Sequence, residues 1–381
     1  MRSPLTTGGE VMKKRNPVPR ELCSRAVAIP SDPPVRAWGD EVPPWADAWF
    51  ATPKEELQAR YRGLVGREHN YLAISGGGAS GAFGAGLLKG WTESGTRPEF
   101  AAVTGISTGA LAAPFAYLGS AWDHKLEQIY TSYSTKDLIN RTLLSAVTSS
   151  ALYSTQRLQG MIARFFDRGV MVAVAAEFRD KGRQLSIGTT NLDTLRPVIW
   201  NIGRIAASGH PGALELIRKI LLASASIPIA FPPVRIEVEA DGRPYDEMHV
   251  DGGASAQIFL YPAGIDWARV LDLLDAKGRP KVYLIRNSCF TPDWKPMKPL
   301  LMPIAMRTVQ SLIRTQGIGD TLRVYLAAQR DGLDFHLADI PENFDKQAKE
   351  LFDPAYMRQL FDLGHQSAVS GYPWKTRPHE F

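Results

Sequence analysis

The sequence predicts a three-layer α/β/α fold with a mainly parallel central sheet. Two short apolar runs, residues 71–75 and 100–106, have the length and composition of buried strands. Each run ends in a glycine-containing turn, and a helical pattern of small and apolar residues follows it, at 79–93 and 108–118. Strands that lead directly into helices in this way are typical of parallel α/β sheets.

The remaining pattern continues this alternation. Further predicted strands are residues 184–189, 197–202, 247–250 and 281–286, and further predicted helices are residues 123–132, 155–166, 213–223, 302–328 and 354–365. The apolar stretch 138–152 has two interpretations, a lid over a substrate site or an ordinary core helix.

Composition divides the chain into three regions. With 381 residues, of which 44% are hydrophobic, the chain can bury a large core as one domain with extensions. Residues 1–68 form a Pro-rich, charged N-terminal extension, in which only 53–64 predict a short helix. Residues 69–290 hold the predicted α/β core, and residues 291–381 form a mainly helical C-terminal part of the same domain.

Charge and cysteine content exclude several classes of protein. The net charge of +5 is a mild excess that favours anionic surfaces such as phospholipid headgroups. The sequence has no stripe of Lys and Arg with interleaved aromatic residues, so we expect no nucleic-acid binding. Cys23 and Cys289 are too few for a disulfide framework or a zinc site. Neither a His-Glu-x-x-His motif nor an acidic calcium loop occurs, so we expect neither metal nor cofactor.

The sequence also lacks the usual membrane signals. The first 23 residues contain no apolar segment of the kind that a secretory signal needs. The most apolar stretch, 220–234, contains three prolines and is shorter than the roughly 18 residues of a spanning helix. These features predict a cytoplasmic or peripheral membrane protein.

A candidate nucleophile follows the second strand. Gly105-Ile106-Ser107-Thr108-Gly109 has the G-x-S-x-G form, between an apolar run and a small-residue helix. Flanking glycines at Gly105 and Gly109 allow the sharp strand-to-helix turn that exposes the hydroxyl of such a serine. The alternative is that Ser107 only caps the helix that follows.

A glycine-rich turn follows the first strand. Gly76, Gly77, Gly78 and Gly81 lie between strand and helix, where unobstructed backbone N–H groups can stabilise an oxyanion. The spacing of Gly76, Gly78 and Gly81 also matches a dinucleotide-binding loop. No acidic residue ends the next strand, however, and no P-loop Lys follows. A purely structural turn remains open.

The candidate base is a carboxylate. Asp251 ends a predicted strand and leads into Gly252 and Gly253, and α/β sites assemble where strands end. None of the seven histidines stands in a convincing motif, and His365 is the best late candidate for a conventional Ser-His-Asp triad. Asp251 is also compatible with an ordinary turn before glycines.

In this order, the three motifs resemble those of the patatin-like phospholipase family, and segments 189–193 and 223–233 are also similar to it. The resemblance covers roughly residues 70–290. It implies a dyad in which Ser107 attacks the acyl carbonyl and Asp251 takes its proton, with an oxyanion held by the loop of Gly76 to Gly81 and an acyl-enzyme intermediate. Many members carry Arg or Lys where this chain has Ser80, which leaves its headgroup preference open.

The resemblance implies a phospholipid or another lipid ester as substrate and activity of the phospholipase A or lysophospholipase type. The alternatives are an α/β-hydrolase esterase with a triad, or a non-catalytic lipid-binding protein on the same scaffold. A membrane contact is predicted where apolar residues stand beside cations, at Trp294, Lys295, Lys298, Leu300 and Leu301. The same segment is compatible with a connector packed on the body.

Overall fold

The structure is a computed structural model that describes residues 14–43, 45–141, 151–260, 264–292, 294 and 296–378. Its centre is a nine-stranded sheet. In chain order the strands are β1 Arg36–Trp38, β2 Asn70–Ile74, β3 Ala102–Gly105, β4 Asn140–Arg141, β5 Tyr153–Ser154, β6 Gln184–Asn191, β7 Arg196–Asn201, β8 Val234–Ala240, β9 Arg243–Asp251, β10 Lys281–Arg286 and β11 Asp334–Asp339. Strands β4 and β5 form a separate antiparallel pair.

Most of the sheet is parallel, as predicted. The main order is β1-β7-β6-β3-β2-β10-β11, and the five strands from β6 to β11 run parallel to one another. All five residues of β2 are buried, which is typical of a parallel strand covered on both faces. Strands β1, β7, β8 and β9 pair antiparallel.

Helices cover both faces of the sheet. They are α1 Ala46–Ala51, α2 Lys54–Arg60, α3 Gly81–Glu93, α4 Thr108–Leu118, α5 Asp123–Thr131, α6 Thr135–Leu138, α7 Gln156–Phe165, α8 Arg168–Ala176, α9 Ile202–Ala207, α10 Ala213–Ser224, α11 Trp267–Leu273, α12 Leu301–Arg330 and α13 Pro354–Val369. Leu72 and Ile74 of β2 face the larger apolar core, which contains α3, α4, α10 and α13. Tyr71 and Ala73 face a smaller core with α12. Successive residues of one strand therefore pack against the helix layers on opposite faces of the sheet.

Several elements differ from the prediction. The N-terminal extension contributes β1, which pairs with β7 at the sheet edge, but three residues are too few to show an alternating pattern. Strands β8 and β11 and helices α8, α9 and α11 were also missed. Of the stretch 138–152, residues 142–150 lie outside the described residues. At its described ends, Leu138 is the last residue of α6, Asn140 and Arg141 form β4, and residues 151–152 lead into β5, the partner of β4.

Candidate active site

Ser107 occupies a strained turn between β3 and α4. Its backbone has φ 56° and ψ −126°, a conformation that L-residues rarely adopt. Both flanking glycines are needed for close approach. A Cβ at Gly105 would lie 2.4 Å from the carbonyl oxygen of Gly109, and one at Gly109 would lie 2.3 Å from that of Ile74. The turn therefore has the tight backbone that a nucleophile elbow would need, and Ser107 is buried but lines a pocket.

Asp251 lies beside the turn that carries Ser107, although its strand runs in the opposite direction to β3. We expected an acid at the end of a strand in a parallel sheet, but β9 runs antiparallel to β6. Gly105, the last residue of β3, pairs with Ile187 of β6, and two residues further along β6 Thr189 pairs with Asp251. Strand β9 therefore continues the position of β3, and its carboxylate meets the turn that carries Ser107.

The Asp251 carboxyl is buried and only half satisfied. Its Oδ1 accepts a hydrogen bond from the backbone N–H of Gly253 at 2.7 Å, and its Oδ2 has no hydrogen-bond partner among the described residues. Burial raises the pKa of Asp251 to about 7, against the opposing effects of the Ser107 hydroxyl and the Gly253 N–H. Because Oδ2 has no other donor and the Ser107 hydroxyl is nearby, Oδ2 is available to accept a proton from Ser107.

The glycine turn lies directly against the serine. A Cβ at Gly76 would stand 3.2 Å from Cβ of Ser107 and 2.6 Å from Oε1 of Gln257, so a side chain there would crowd the serine. The N–H groups of Gly76 and Gly81 are engaged with backbone carbonyls, whereas those of Gly77 and Gly78 have no acceptor in the described part of the chain. Of the four predicted oxyanion glycines, Gly77 and Gly78 therefore hold the free donors.

The amide of Thr108 is a further free donor that the sequence reasoning missed. It follows the nucleophile at the start of α4 and has no acceptor among the described residues. In a nucleophile elbow the N–H after the serine commonly contributes to the oxyanion hole, and this is the rule that would have identified Thr108.

Asn287 holds the glycine turn in place. This buried residue follows β10, and its side chain donates to the carbonyl oxygen of Ser75 and accepts from the N–H of Gly84, each at 3.0 Å. Its backbone N–H donates to Oγ of Ser75 at 2.8 Å. A Cβ at Gly77 would lie 2.3 Å from the carbonyl oxygen of Asn287. No local motif in the sequence marked this residue.

Two further contacts join the serine turn to the aspartate turn. Oγ of Ser224 accepts from the N–H of Ser107 at 3.0 Å, and the carbonyl oxygen of Ser226 accepts from the N–H of Asp251 at 2.9 Å. Both serines belong to the segment 223–233 that was similar to the family but had no assigned role.

Gln257 bridges the glycine and aspartate turns, because its carbonyl oxygen accepts from the N–H of Gly76 and its side chain donates to the carbonyl oxygen of Gly253.

A small apolar pocket of about 40 Å³ opens beside Ser107. Its walls come mainly from aliphatic and aromatic side chains, namely Leu111, Ile129, Tyr130, Leu138, Leu158, Met161, Ile227, Phe231, Phe352 and Met357. Gly78, with its free N–H, lies at the same pocket. The site therefore places an apolar surface next to the hydroxyl and the amide donors.

His365, the predicted candidate for a triad, lies elsewhere. Nε2 of His365 lies 2.7 Å from a carboxylate oxygen of Glu93, the last residue of α3. Ser107 lies near the N-terminal end of the same helix. A helix of 13 residues is about 20 Å long, so His365 is remote from Ser107. No histidine lines the pocket among the described residues, and no described cluster of His, Cys, Asp and Glu has the makeup of a metal site.

Comparison with known proteins identifies the family. The family model described as patatin-like phospholipase matches residues 72–263, about half of the chain, and these residues contain all three motifs. The chain belongs to the patatin-like phospholipase family. This membership indicates a lipid acyl hydrolase in general terms and agrees with the predicted mainly parallel α/β fold.

More distant comparisons add little to the patatin-like assignment. One solved structure, VipD from Legionella pneumophila, is similar with a TM-score of 0.42 and 10% identity, over 80% of this chain and 67% of that chain. No curated protein matches the sequence.

In this patatin-like chain the structure also shows the contact of Ser80 and the character of the helices. Ser80, which stands where many members have a cation, has its Oγ 3.0 Å from the hydroxyl of Tyr356 on α13. Among the helices of the described residues, none has the length and apolar character needed to cross a bilayer.

Proposed function

We propose that this protein hydrolyses the carboxylic esters of lipids, as a phospholipase A or lysophospholipase, through a dyad of Ser107 and Asp251. The observation that carries the proposal is the buried carboxyl beside the strained serine, with one oxygen lacking a donor. An aspartate with an ordinary pKa is a weak base, but one with a pKa of about 7 is matched to neutral pH.

The reaction would proceed in two halves. Oγ of Ser107 attacks the acyl carbonyl carbon while its proton passes to Oδ2 of Asp251, and the carbonyl oxygen becomes an oxyanion at the free amides of Gly77, Gly78 and Thr108. Collapse of this intermediate expels the alcohol, which takes the proton from Asp251, and leaves an acyl-serine. Water then attacks the acyl-serine while Asp251 accepts its proton, and Oγ of Ser107 takes this proton from Asp251 as its bond to the acyl carbon breaks and the acid departs.

The pocket beside Ser107 supports an acyl substrate. Its lining is predominantly aliphatic and aromatic, so transfer of hydrocarbon from water into it is favourable. At about 40 Å³ it holds only the first carbons of a chain, so the rest of a longer chain would extend beyond the pocket or require its lining side chains to move.

The test is a panel of phospholipids, lysophospholipids, triglycerides and p-nitrophenyl esters with wild type and three variants. Ser107→Ala should lose hydrolysis and covalent labelling by a fluorophosphonate. Asp251→Asn should lower kcat by about 10²–10⁴-fold, the usual contribution of a general base. His365→Ala should retain activity, since His365 lies at the far end of α3.

The rivals give different results. If His365→Ala loses activity as completely as Ser107→Ala, the triad mechanism replaces the dyad. If the folded wild type neither turns over any ester nor reacts with a fluorophosphonate, a lipid-binding role replaces catalysis.

We further propose that an apolar patch at the start of α12 contacts an anionic membrane. The patch consists of Trp294, Met297, Leu300, Leu301 and Ile304, and Trp294 and Leu301 are 82% and 81% exposed. Lys298 is exposed beside it, whereas Lys295 lies outside the described residues. Exposed apolar anchors next to a cation suit the interface of an anionic bilayer.

The membrane contact is tested by sedimentation with vesicles of phosphatidylglycerol and of phosphatidylcholine. Trp294→Ala combined with Leu301→Ser should weaken binding to anionic vesicles at least tenfold. Leu195→Ser is the matched control, because Leu195 is 80% exposed in the β6–β7 turn. Equal sedimentation of patch variant and wild type would exclude this contact.

A further inference from the structure

A second cleft lies at the other end of the sheet from Ser107. It has a volume of about 570 Å³ and is bordered by α1 and α2 of the N-terminal extension, by the turn before β6 and by α9. Gln184, the first residue of β6, lines the cleft, and Thr189 beside Asp251 comes five residues later. A strand rises about 3.3 Å per residue, so roughly 17 Å separate this cleft from the serine site.

The cleft is cationic. Arg60, Arg62, Arg179 and Arg204 line it, and Asp32 is the one carboxylate among its described lining residues. Arg60 and Arg62 are exposed and form only surface ion pairs, with Glu56 and Asp180. Surface pairs of this kind are weak, so these charges remain available to a ligand.

Arg204 is the distinctive residue of the cleft. Its guanidinium lies 5.7 Å from the centre of the Phe178 ring, and no carboxylate of the described residues forms an ion pair with it. Burial lowers the pKa of Arg204, because desolvation disfavours its charged form. Tyr61 and Asp32 oppose this shift only in part, so an anion that arrives in the cleft would offset the remaining cost of desolvation.

Aromatic rings form the remaining walls. Trp45, Trp49, Tyr61 and Phe178 line the cleft, and Nε1 of Trp49 donates to the hydroxyl of Tyr61 at 3.1 Å. This hydrogen bond and the edge-to-face contact of the two rings, 5.9 Å between centroids, fix the orientation of the wall. Fixed rings beside a guanidinium present a flat apolar surface next to a planar cation.

We propose that this cleft binds a small organic anion, in which a phosphate or carboxylate on a flat aromatic body pairs with Arg204 while the aromatic body packs on the Trp and Tyr rings. Guanidinium groups bind both kinds of anion in bidentate geometry. The cleft volume falls within the ~300–1,000 Å³ of typical small-molecule sites. The proposal is independent of ester hydrolysis, because binding alone is its readout.

The experiment is isothermal titration calorimetry of the full chain with 2-naphthyl phosphate, 2-naphthoate and neutral 2-naphthol. At least one anion should bind saturably and at least tenfold more tightly than 2-naphthol, and comparison of the two anions identifies the preferred group. Arg204→Gln should weaken binding of that anion at least tenfold. Arg243→Gln, which removes an exposed arginine at the start of β9, should leave it unchanged.

Arg62→Gln is a second cleft variant that does not depend on a half-buried position, because 66% of the Arg62 side chain is exposed. It should weaken the same anion about threefold or more. The proposal is wrong if neither anion binds, if 2-naphthol binds equally well, or if folded Arg204→Gln and Arg62→Gln both bind like Arg243→Gln.

Discussion

In the proposed mechanism, Asp251 combines a catalytic role with a cost in stability. Burial raises its pKa from 3.8 to about 7, so the fold favours the neutral carboxyl. The resulting stabilisation is complete below pH 3.8 and is lost as the pH rises through 7. Each pKa unit corresponds to about 1.4 kcal/mol, so the ionised form at pH 8 costs on the order of 4 kcal/mol.

Asp251→Asn should therefore raise the free energy of unfolding by about 2–4 kcal/mol at pH 8 and by much less at pH 4. Urea unfolding at the two pH values measures this difference. Asp246→Asn is the matched control on the same strand. Arg15 and the N–H of Asn16 outweigh burial there and lower the pKa of Asp246, so its loss should destabilise the fold at pH 8. An Asp251→Asn protein no more stable than wild type at pH 8 would contradict the account.

Asn287 is expected to position the oxyanion donors. Asn287→Ala removes both of its side-chain hydrogen bonds to the segment from Ser75 to Gly84, and the freed turn should lower kcat about 10–100-fold with little change in KM. Steady-state kinetics and the rate of fluorophosphonate labelling measure the effect.

The control for Asn287 is Asn201→Ala. Asn201 caps α9 by accepting from the N–H of Arg204 at 2.8 Å, so its loss should cost about 1 kcal/mol without altering kcat. If Asn287→Ala changes stability but leaves both kcat and the labelling rate intact, Asn287 is structural only.

At the scale of elements, helices α3 and α13 pack closely through glycine. A Cβ at Gly364 would lie 2.2 Å from the carbonyl oxygen of Phe83, and one at Gly86 would lie 2.0 Å from that of Phe361. Because the obstructing atoms are backbone, the helices themselves must separate to accept a methyl group.

Gly364→Ala should therefore destabilise the protein by about 1–3 kcal/mol, the usual cost of overpacking. Gly160→Ala is the control, because Gly160 lies inside α7 with no atom within 4 Å of an added Cβ. Ala is the better helix former by up to about 1 kcal/mol, so that variant should be neutral or stabilising. Thermal unfolding of both proteins distinguishes them, and a Gly364→Ala protein as stable as Gly160→Ala would refute close packing.

Local patterns were sufficient to predict β2, β3, α3 and α4. A buried strand, the glycine turn after it and the next helix together occupy only 20 or so contiguous residues. The direction of β9 was not predictable in this way. It depends on which strand β9 pairs with, and that partner, β6, lies about 60 residues earlier in the chain. Asn287 was missed for the same reason, since its role exists only because β10 lies beside β2.

At the scale of the whole molecule, a buried charge network ties the N-terminal extension to the strand that carries Asp251. Arg36 of β1 forms an ion pair with Glu247 of β9, and Glu247 also lies 3.1 Å from Nε2 of His249. Burial would raise the pKa of Glu247, but His249 and Arg36 outweigh it and lower that pKa to about 2.

Arg36→Met should leave the buried Glu247 carboxylate with His249 as its remaining partner and cost about 3–5 kcal/mol. Adding Glu247→Leu should recover much of this loss. The comparison pair is Lys219 and Glu237, in which Glu237 is 68% exposed, and Lys219→Met should cost less than about 1 kcal/mol. Denaturant unfolding at neutral pH measures all three, and equal costs for Arg36→Met and Lys219→Met would argue against a buried network.

In the proposed mechanism, a carboxylate with a raised pKa activates Ser107. The most direct measurement is the pH dependence of kcat/KM for a p-nitrophenyl ester between pH 4.5 and 9. Because Asp251 must be ionised to accept the proton, kcat/KM should rise tenfold per pH unit below the pKa and level off above about pH 7. The residual activity of Asp251→Asn should lack this inflection. A flat wild-type profile across pH 7, or the same inflection in Asp251→Asn, would contradict the account.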